Sequence, residues 1–152
     1  HMYAAGMTLQ AENYQNFKNA FEKEVKNTLH PDLLIPEIAV DLEIKFSAIN
    51  EKFMRILKQF EPFGPENMTP VFMSKNVVDS GYAKTLGNDA EHLKVFIKQN
   101  NSPNFNAIGF GLGKKIDIVK NKNPFEAVYV IEENEWNGKV SLQLQLRDIR
   151  VN

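Results

Sequence analysis

Residues 92–99 read His92-Leu93-Lys94-Val95-Phe96-Ile97-Lys98-Gln99. Leu93, Val95 and Ile97 alternate with His92, Lys94, Phe96 and Lys98, the period of two that marks a strand with one face buried. Working outward, short segments rich in Val, Ile, Phe and Leu recur at 71–82, 105–111, 125–132 and 139–149. Turn-forming clusters at 87–89, 100–103, 121–124 and 134–138 separate them. Five strands in residues 70–152 suit a small closed barrel, whereas a β-sandwich takes about seven. The last two strands read as a hairpin, and 112–120 is a short connection between the third strand and the fourth.

Upstream the texture differs. Tyr14, Phe17, Phe21 and Val25 step by three and four, one face of a helix that Pro31 brings to an end near Thr28-Leu29. Ile38, Val40, Leu42, Ile44 and Phe46 alternate with polar residues, which predicts a half-buried strand over 37–46. Ser47 is placed to cap a second helix with the stripe Ile49, Phe53, Ile56, Leu57 and Phe60. Glu61-Pro62-Phe63-Gly64-Pro65 stops it in a rigid turn. The fold class is therefore α+β, with an α/β lead-in at 3–69 and an all-β domain at 70–152. His1-Met2 reads as a cloning scar, and Tyr3 to Leu9 reads as the inside of a strand, a hint that the chain was cut from a larger protein.

Composition bounds the function. The 152 residues are 43% hydrophobic and contain no cysteine, so thiolate metal sites and cysteine nucleophiles are excluded. No apolar run approaches the roughly 18 residues of a membrane span and there is no signal segment, so a cytoplasmic protein without a membrane partner is expected. Net charge is -1, but its distribution is uneven: -3 over residues 1–69 and +2 over residues 70–152. That tilt permits a nucleic-acid surface in the second part.

Three stretches together resemble one family. Tyr3-Ala4-Ala5-Gly6-Met7-Thr8-Leu9, followed by a helix containing Phe17, resembles the segment after the Gly-Gly-His motif of the DHH-associated domain in RecJ-type exonucleases. Leu57 to Phe72, with Pro62-Phe63-Gly64, Asn67 and Pro70-Val71-Phe72, resembles that family's linker into its OB domain. Ile131 to Gly138, then Leu142 to Leu146 and Arg147-Asp148-Ile149-Arg150, resembles its closing hairpin, with Asn-Glu-Trp-x-Gly at the turn. The family's linker has glycine where this chain has Glu66; if that position takes positive φ, Glu66 is strained.

The resemblance implies a five-stranded OB-fold barrel preceded by a remnant of the DHH-associated domain. It implies a C-terminal module of a 5'-3' single-stranded-DNA exonuclease acting in repair and recombination. The parent's manganese- or magnesium-dependent chemistry resembles two-metal phosphodiester hydrolysis and belongs to an N-terminal DHH domain. On this resemblance the Gly-Gly-His would fall just before Tyr3, so no catalytic residue, metal or cofactor is expected in this piece.

The candidate DNA-binding residues are Lys94, Phe96, Lys98, Phe105, Trp136 and Lys139. Lys94, Phe96 and Lys98 share the outer face of the second predicted strand, interleaving a stacking ring with two ammonium groups. Phe105 and Phe110 have opposite parity, and Phe105 is favoured for the groove. Trp136 either stacks on a base or packs on the barrel end. Lys114-Lys115 either meets phosphate or is simply solvated. Gly109 to Lys115 lacks the spacing of a phosphate loop, and its glycines are read as relieving barrel curvature. Glu132, Glu133 and Glu135 read as a solvated loop. The expected partners are single-stranded DNA and the rest of the exonuclease; the rival reading is a protein-docking barrel, for a single-strand-binding protein for instance.

Overall fold

The computed structural model describes residues 4–151, which divide into two compact units at Glu37/Ile38. In the first unit, helix α1 spans Tyr14–Thr28 after a turn of 3-10 helix at Ala11–Asn13. It ends as the sequence predicts: Leu29 and His30 are extended, as the chain ahead of Pro31 must be. The rings of Phe17 and Phe21 stack at 5.7 Å, yet no residue of α1 is buried within the unit and Tyr14 and Phe21 lie exposed.

The second unit holds the core. Its strands are β1 (Leu42–Glu43), β2 (Phe72–Asp79), β3 (Lys84–Leu86), β4 (His92–Lys98), β5 (Phe105–Gly109), β6 (Phe125–Trp136) and β7 (Lys139–Val151). They are ordered β1-β2-β6-β7-β5-β4-β3, and a second pairing between β2 and β4 closes the ring. The barrel is thus the five strands β2, β4, β5, β7 and β6, with β5 and β7 parallel and the other barrel pairs antiparallel. That is the OB-fold arrangement. A short helix α3 (Ile116–Lys120) sits in the connection between β5 and β6 and buries Val119. Closure requires β2 to bend, and its register shifts between Ser74 and Val77.

Period two sets the interior. Leu93, Val95 and Ile97 from β4, Phe105 and Ala107 from β5, and Leu144 and Leu146 from β7 are buried. The segment before β2 belongs to the same core. Phe46 packs edge-on against Phe105 at 5.3 Å and Tyr129 at 5.8 Å, and Ile49, Met54 and Leu57 are buried with it. Gln99 fixes this segment: its Oε1 accepts from the Phe46 N–H at 2.9 Å, and its Nε2 donates to the Lys75 carbonyl at 2.7 Å. Packing therefore divides the chain at 37/38, well before the boundary expected at 69/70.

Several local expectations are corrected. The strand expected over 37–46 shrinks to β1, pairing in parallel with Phe72 and Met73. Residues 38–43 of both parities are exposed, Ile38, Val40 and Leu42 among them, and the segment turns into the core only at Ile44 and Phe46. The cap of helix α2 (Glu51–Leu57) is Asn50, whose side chain accepts from the Phe53 N–H; Ser47 lies in a separate 3-10 turn. Ile56 and Phe60 of the expected stripe are exposed, while Met54 is buried. The glycines after β5 do not relieve curvature. Gly111 takes φ +73, and a Cβ on Gly113 would stand 1.9 Å from the Ala90 carbonyl oxygen. Gly113 is there because two backbones touch, joined by its N–H to the Glu91 carbonyl at 2.8 Å.

Candidate nucleic-acid interface

The pairing registers decide which side chains share the outer face. Lys94 lies opposite Lys84 and Ile108, and Phe96 opposite Asn106. Asn106 continues to Gln143 on β7, and Gln143 to Glu132 on β6. Because side chains alternate across the pleat, this row and the neighbouring row through Ile108 and Gln145 form one surface across β3, β4, β5, β7 and β6. The surface is graded: lysines at β3 and β4, amides in the middle, and Glu132 at the far side.

At the lysine end lies an open depression of about 580 Å³, lined by Tyr82, Lys84, Lys94, Phe96, Asn104 and Asn106 with Val95 beneath. Tyr82, in the loop between β2 and β3, is 74% exposed and meets Phe96 edge-on at 6.3 Å. Asp79 holds that loop. One carboxylate oxygen accepts from the N–H groups of Gly81 at 2.7 Å and Ala83 at 3.3 Å, the two neighbours of Tyr82. The other accepts from the Phe96 N–H at 3.3 Å. Thus one carboxylate fixes the backbone beneath both rings.

Charge is available here. Of the basic residues after residue 69, Lys75 is paired with Glu43 at 2.8 Å, Lys115 with Asp148, and Arg150 with Glu126. The Glu43 carboxylate raises the Lys75 pKa above its ordinary value, first by hydrogen bonding and then by charge. Among the described residues, Lys84, Lys94, Lys98 and Lys139 have no such partner. Their ammonium groups face water and can meet phosphates.

The hairpin of β6 and β7 closes at Asn137-Gly138, both at positive φ (50° and 73°), the two-residue turn that matches strand twist. Its strands run through the region expected as a longer turn. Trp136 pairs with Lys139 on the same side of the pleat as Glu132 and Gln143. It stands 74% exposed, so packing on the barrel end is not its role.

The structure thus brings Lys94 and Phe96 into one depression, sets Lys98 on the same face near the end of β4, and holds Trp136 and Lys139 at the hairpin tip. Phe105 is corrected. It is 6% exposed and points inward at Phe46, while Asn106 and Ile108 take the outer face of β5. The alternation Phe105, Ala107 against the polar Asn106 carried that signal. Phe110 is exposed beyond β5, against the His92 ring at 5.2 Å. His92 is itself occupied, its Nδ1 accepting from the Gly111 N–H. Lys115 is also engaged, bound to Asp148 and to the Ile149 carbonyl. The sequence does not point to Tyr82, Lys84 and Asn104: Tyr82 ends the strand expected over 71–82, and the pattern predicts no strand at Lys84–Leu86.

A profile of the RecJ OB domain matches residues 40–148. The single-stranded-DNA-specific exonuclease RecJ of Bacillus subtilis is 29% identical over 151 residues, covering 99% of this chain and 19% of that protein. The RecJ of Haemophilus influenzae is 24% identical and covers 95% and 25% respectively. The chain therefore spans only about a fifth to a quarter of the length of these curated relatives. The structure of Thermus thermophilus RecJ in complex with Mn2+ superposes with a TM-score of 0.71 at 21% identity, covering 97% of this chain and 20% of that one. A second structure of the same protein, with Mg2+, gives 0.66 at 20% identity, covering 95% and 21%.

Proposed function

We propose, from the premise that the chain belongs to the RecJ OB-domain family, that its outer barrel face holds single-stranded DNA for a larger exonuclease. The observation that carries this is the pairing of Tyr82 and Phe96 between Lys84 and Lys94 in one open depression. Bases present flat apolar faces to aromatic rings, and phosphates seek ammonium groups; single-strand grooves combine the two. Lys98 extends the cationic side, and Trp136 with Lys139 offers a second contact at the hairpin tip.

The larger protein, on this reading, is a manganese- or magnesium-dependent 5'-3' exonuclease of repair and recombination, with its metal ligands outside this chain. The two Thermus RecJ structures, one in complex with Mn2+ and the other with Mg2+, support that choice. Residues 3–37 then belong to the end of the DHH-associated domain. An apolar groove on the second unit, lined by Leu42, Phe53, Ile56, Phe60 and Phe72, is assigned to the remainder of that protein.

The test is a titration of labelled oligo-dT at two salt concentrations. Each phosphate contact releases counterions, so binding weakens with salt by a slope of about -0.7 per contact. Lys94→Ala should flatten the slope by about that much, and Phe96→Ala should weaken binding at an unchanged slope. Absence of binding by the folded chain at low salt, with capture of a single-strand-binding protein instead, overturns this reading in favour of a protein-docking barrel.

A further inference from the structure

Tyr82 borders a second open depression, of about 720 Å³, on its other side. The loop from Asp79 to Ala83 forms one wall. Lys98 and Asn104, then Val119, Lys120 and Lys122 at the end of α3, form the other. Lys120 and Lys122 are exposed and, like Lys98, have no ion-pair partner among the described residues. The single carboxylate lining the depression, Asp79, already accepts three backbone N–H groups. Three ammonium groups thus line the depression against one carboxylate, leaving a local excess of positive charge.

The two depressions share Tyr82 and Asn104. A chain lying across Tyr82 passes directly from one to the other. The second depression has no exposed aromatic ring besides Tyr82, so it offers charge without stacking.

We infer that a bound single strand crosses Tyr82, leaves the β-strand face, and lays its continuing phosphates between Lys98, Lys120 and Lys122. This deepens the proposed function and rests on it. The role of the second depression is to grip backbone independently of base identity, extending the bound length around the barrel's edge toward α3. Phosphates are the occupant because the pocket sets three ammonium groups against one carboxylate.

The experiment compares oligo-dT of about six and about sixteen nucleotides, within the range of OB-fold site sizes, on the full chain and on the double variant Lys120→Ala, Lys122→Ala. Both side chains are exposed and both substitutions keep a Cβ, so the left-handed backbone at Lys122 (φ 59) is no more strained than before. The expected result is unchanged binding of the short oligonucleotide, several-fold weaker binding of the long one, and a salt slope on the long one reduced by about 1.4, or 0.7 for each lost phosphate contact. Charge reversal to Glu at both positions should enlarge the effect on the long oligonucleotide only. If both lengths bind the double variant as they bind the unaltered chain, the strand does not enter the second depression and the β-strand face alone stands. If the unaltered chain binds neither length at low salt, the proposed function itself fails and takes this inference with it.

Discussion

The Phe96 backbone N–H donates to the carboxylate of Asp79 at 3.3 Å, and the other oxygen of that carboxylate holds the two peptide groups flanking Tyr82. An acidic residue thereby positions the two rings to which a base would be offered. Charge and positioning make opposite predictions here. Removing a carboxylate beside a phosphate path should strengthen binding; removing the support of Tyr82 should weaken it.

Asp79→Ala is expected to weaken oligo-dT binding by about 1 kcal/mol, part of the roughly 1–3 kcal/mol that base stacking contributes, with the salt slope unchanged. Asp79→Asn, which keeps one acceptor oxygen, should fall between. The measurement is the same two-salt titration. Stronger binding by Asp79→Ala would show that its charge outweighs its hold on the loop.

Glu66 offers a test of the linker. It occupies φ 67 at the third position of the Gly64-Pro65-Glu66-Asn67 turn, where Gly64 and Asn67 exchange backbone hydrogen bonds at 2.9 and 3.0 Å. Asn67 Nδ2 also donates to the carbonyls of Phe60 and Pro62, which fixes the turn. A turn with proline second and positive φ third favours glycine there. Left-handed backbone costs a non-glycine residue about 1–2 kcal/mol, offset partly by the entropy glycine loses on folding. Glu66→Gly should therefore stabilise the chain by about 0.5–1 kcal/mol in urea unfolding. A loss of stability would mean that the Glu66 side chain contributes more than its backbone strain costs.

Tyr129 gives the barrel an alkaline limit. Burial raises its pKa well above the ordinary tyrosine value, and the 2.7 Å hydrogen bond with Ser74 offsets only part of that. The folded-state pKa exceeds the unfolded one, so this stability is complete below about pH 10. It is lost as pH rises further, by up to about 1.4 kcal/mol per unit. Tyr129→Phe leaves Ser74 Oγ its bond to the Ile44 carbonyl at 2.6 Å and should cost about 1 kcal/mol at neutral pH. Urea midpoints across pH 8 to about 11 should fall less steeply in the variant. Parallel curves would rule out Tyr129 as a cause of alkaline loss.

The barrel was legible because a closed sheet repeats one simple rule, alternation, in every strand; Leu93, Val95 and Ile97 show it without ambiguity. Residues 37–46 obey the same alternation and yet form almost no sheet. Period two reports extended backbone with two unlike sides, and cannot tell a barrel strand from an edge segment whose apolar side has nothing to cover it. Half of the candidate site was readable for the same reason: Lys94 and Phe96 lie on a regular strand. Tyr82 and Lys122 sit in loops and Lys120 ends the five-residue helix α3, where position depends on one carboxylate or on a helix end, and no period marks them. Phe105 shows the opposite error, a ring chosen for its chemistry against the parity of its own strand.

Trp136 is the chain's one tryptophan, which makes the hairpin tip directly observable. Its pair with Lys139 lies four residues beyond Gln143 along β7, roughly 13 Å at about 3.3 Å per residue. The ring is therefore set apart from the Tyr82–Phe96 depression, across a surface on which the next charge beyond its partner Lys139 is Glu132. With Glu132 lying between the tip and the depression, the tip can contribute stacking but little phosphate attraction beyond Lys139. Trp136→Ala should accordingly weaken binding of long oligo-dT by about 1–3 kcal/mol with the salt slope unchanged. Urea stability should shift by less than about 0.5 kcal/mol, because the ring is exposed. Before substitution, adding oligo-dT should quench the intrinsic fluorescence in step with a label on the DNA. If the label reports binding while the indole emission stays constant, the strand does not reach the hairpin, and the interface ends at β5.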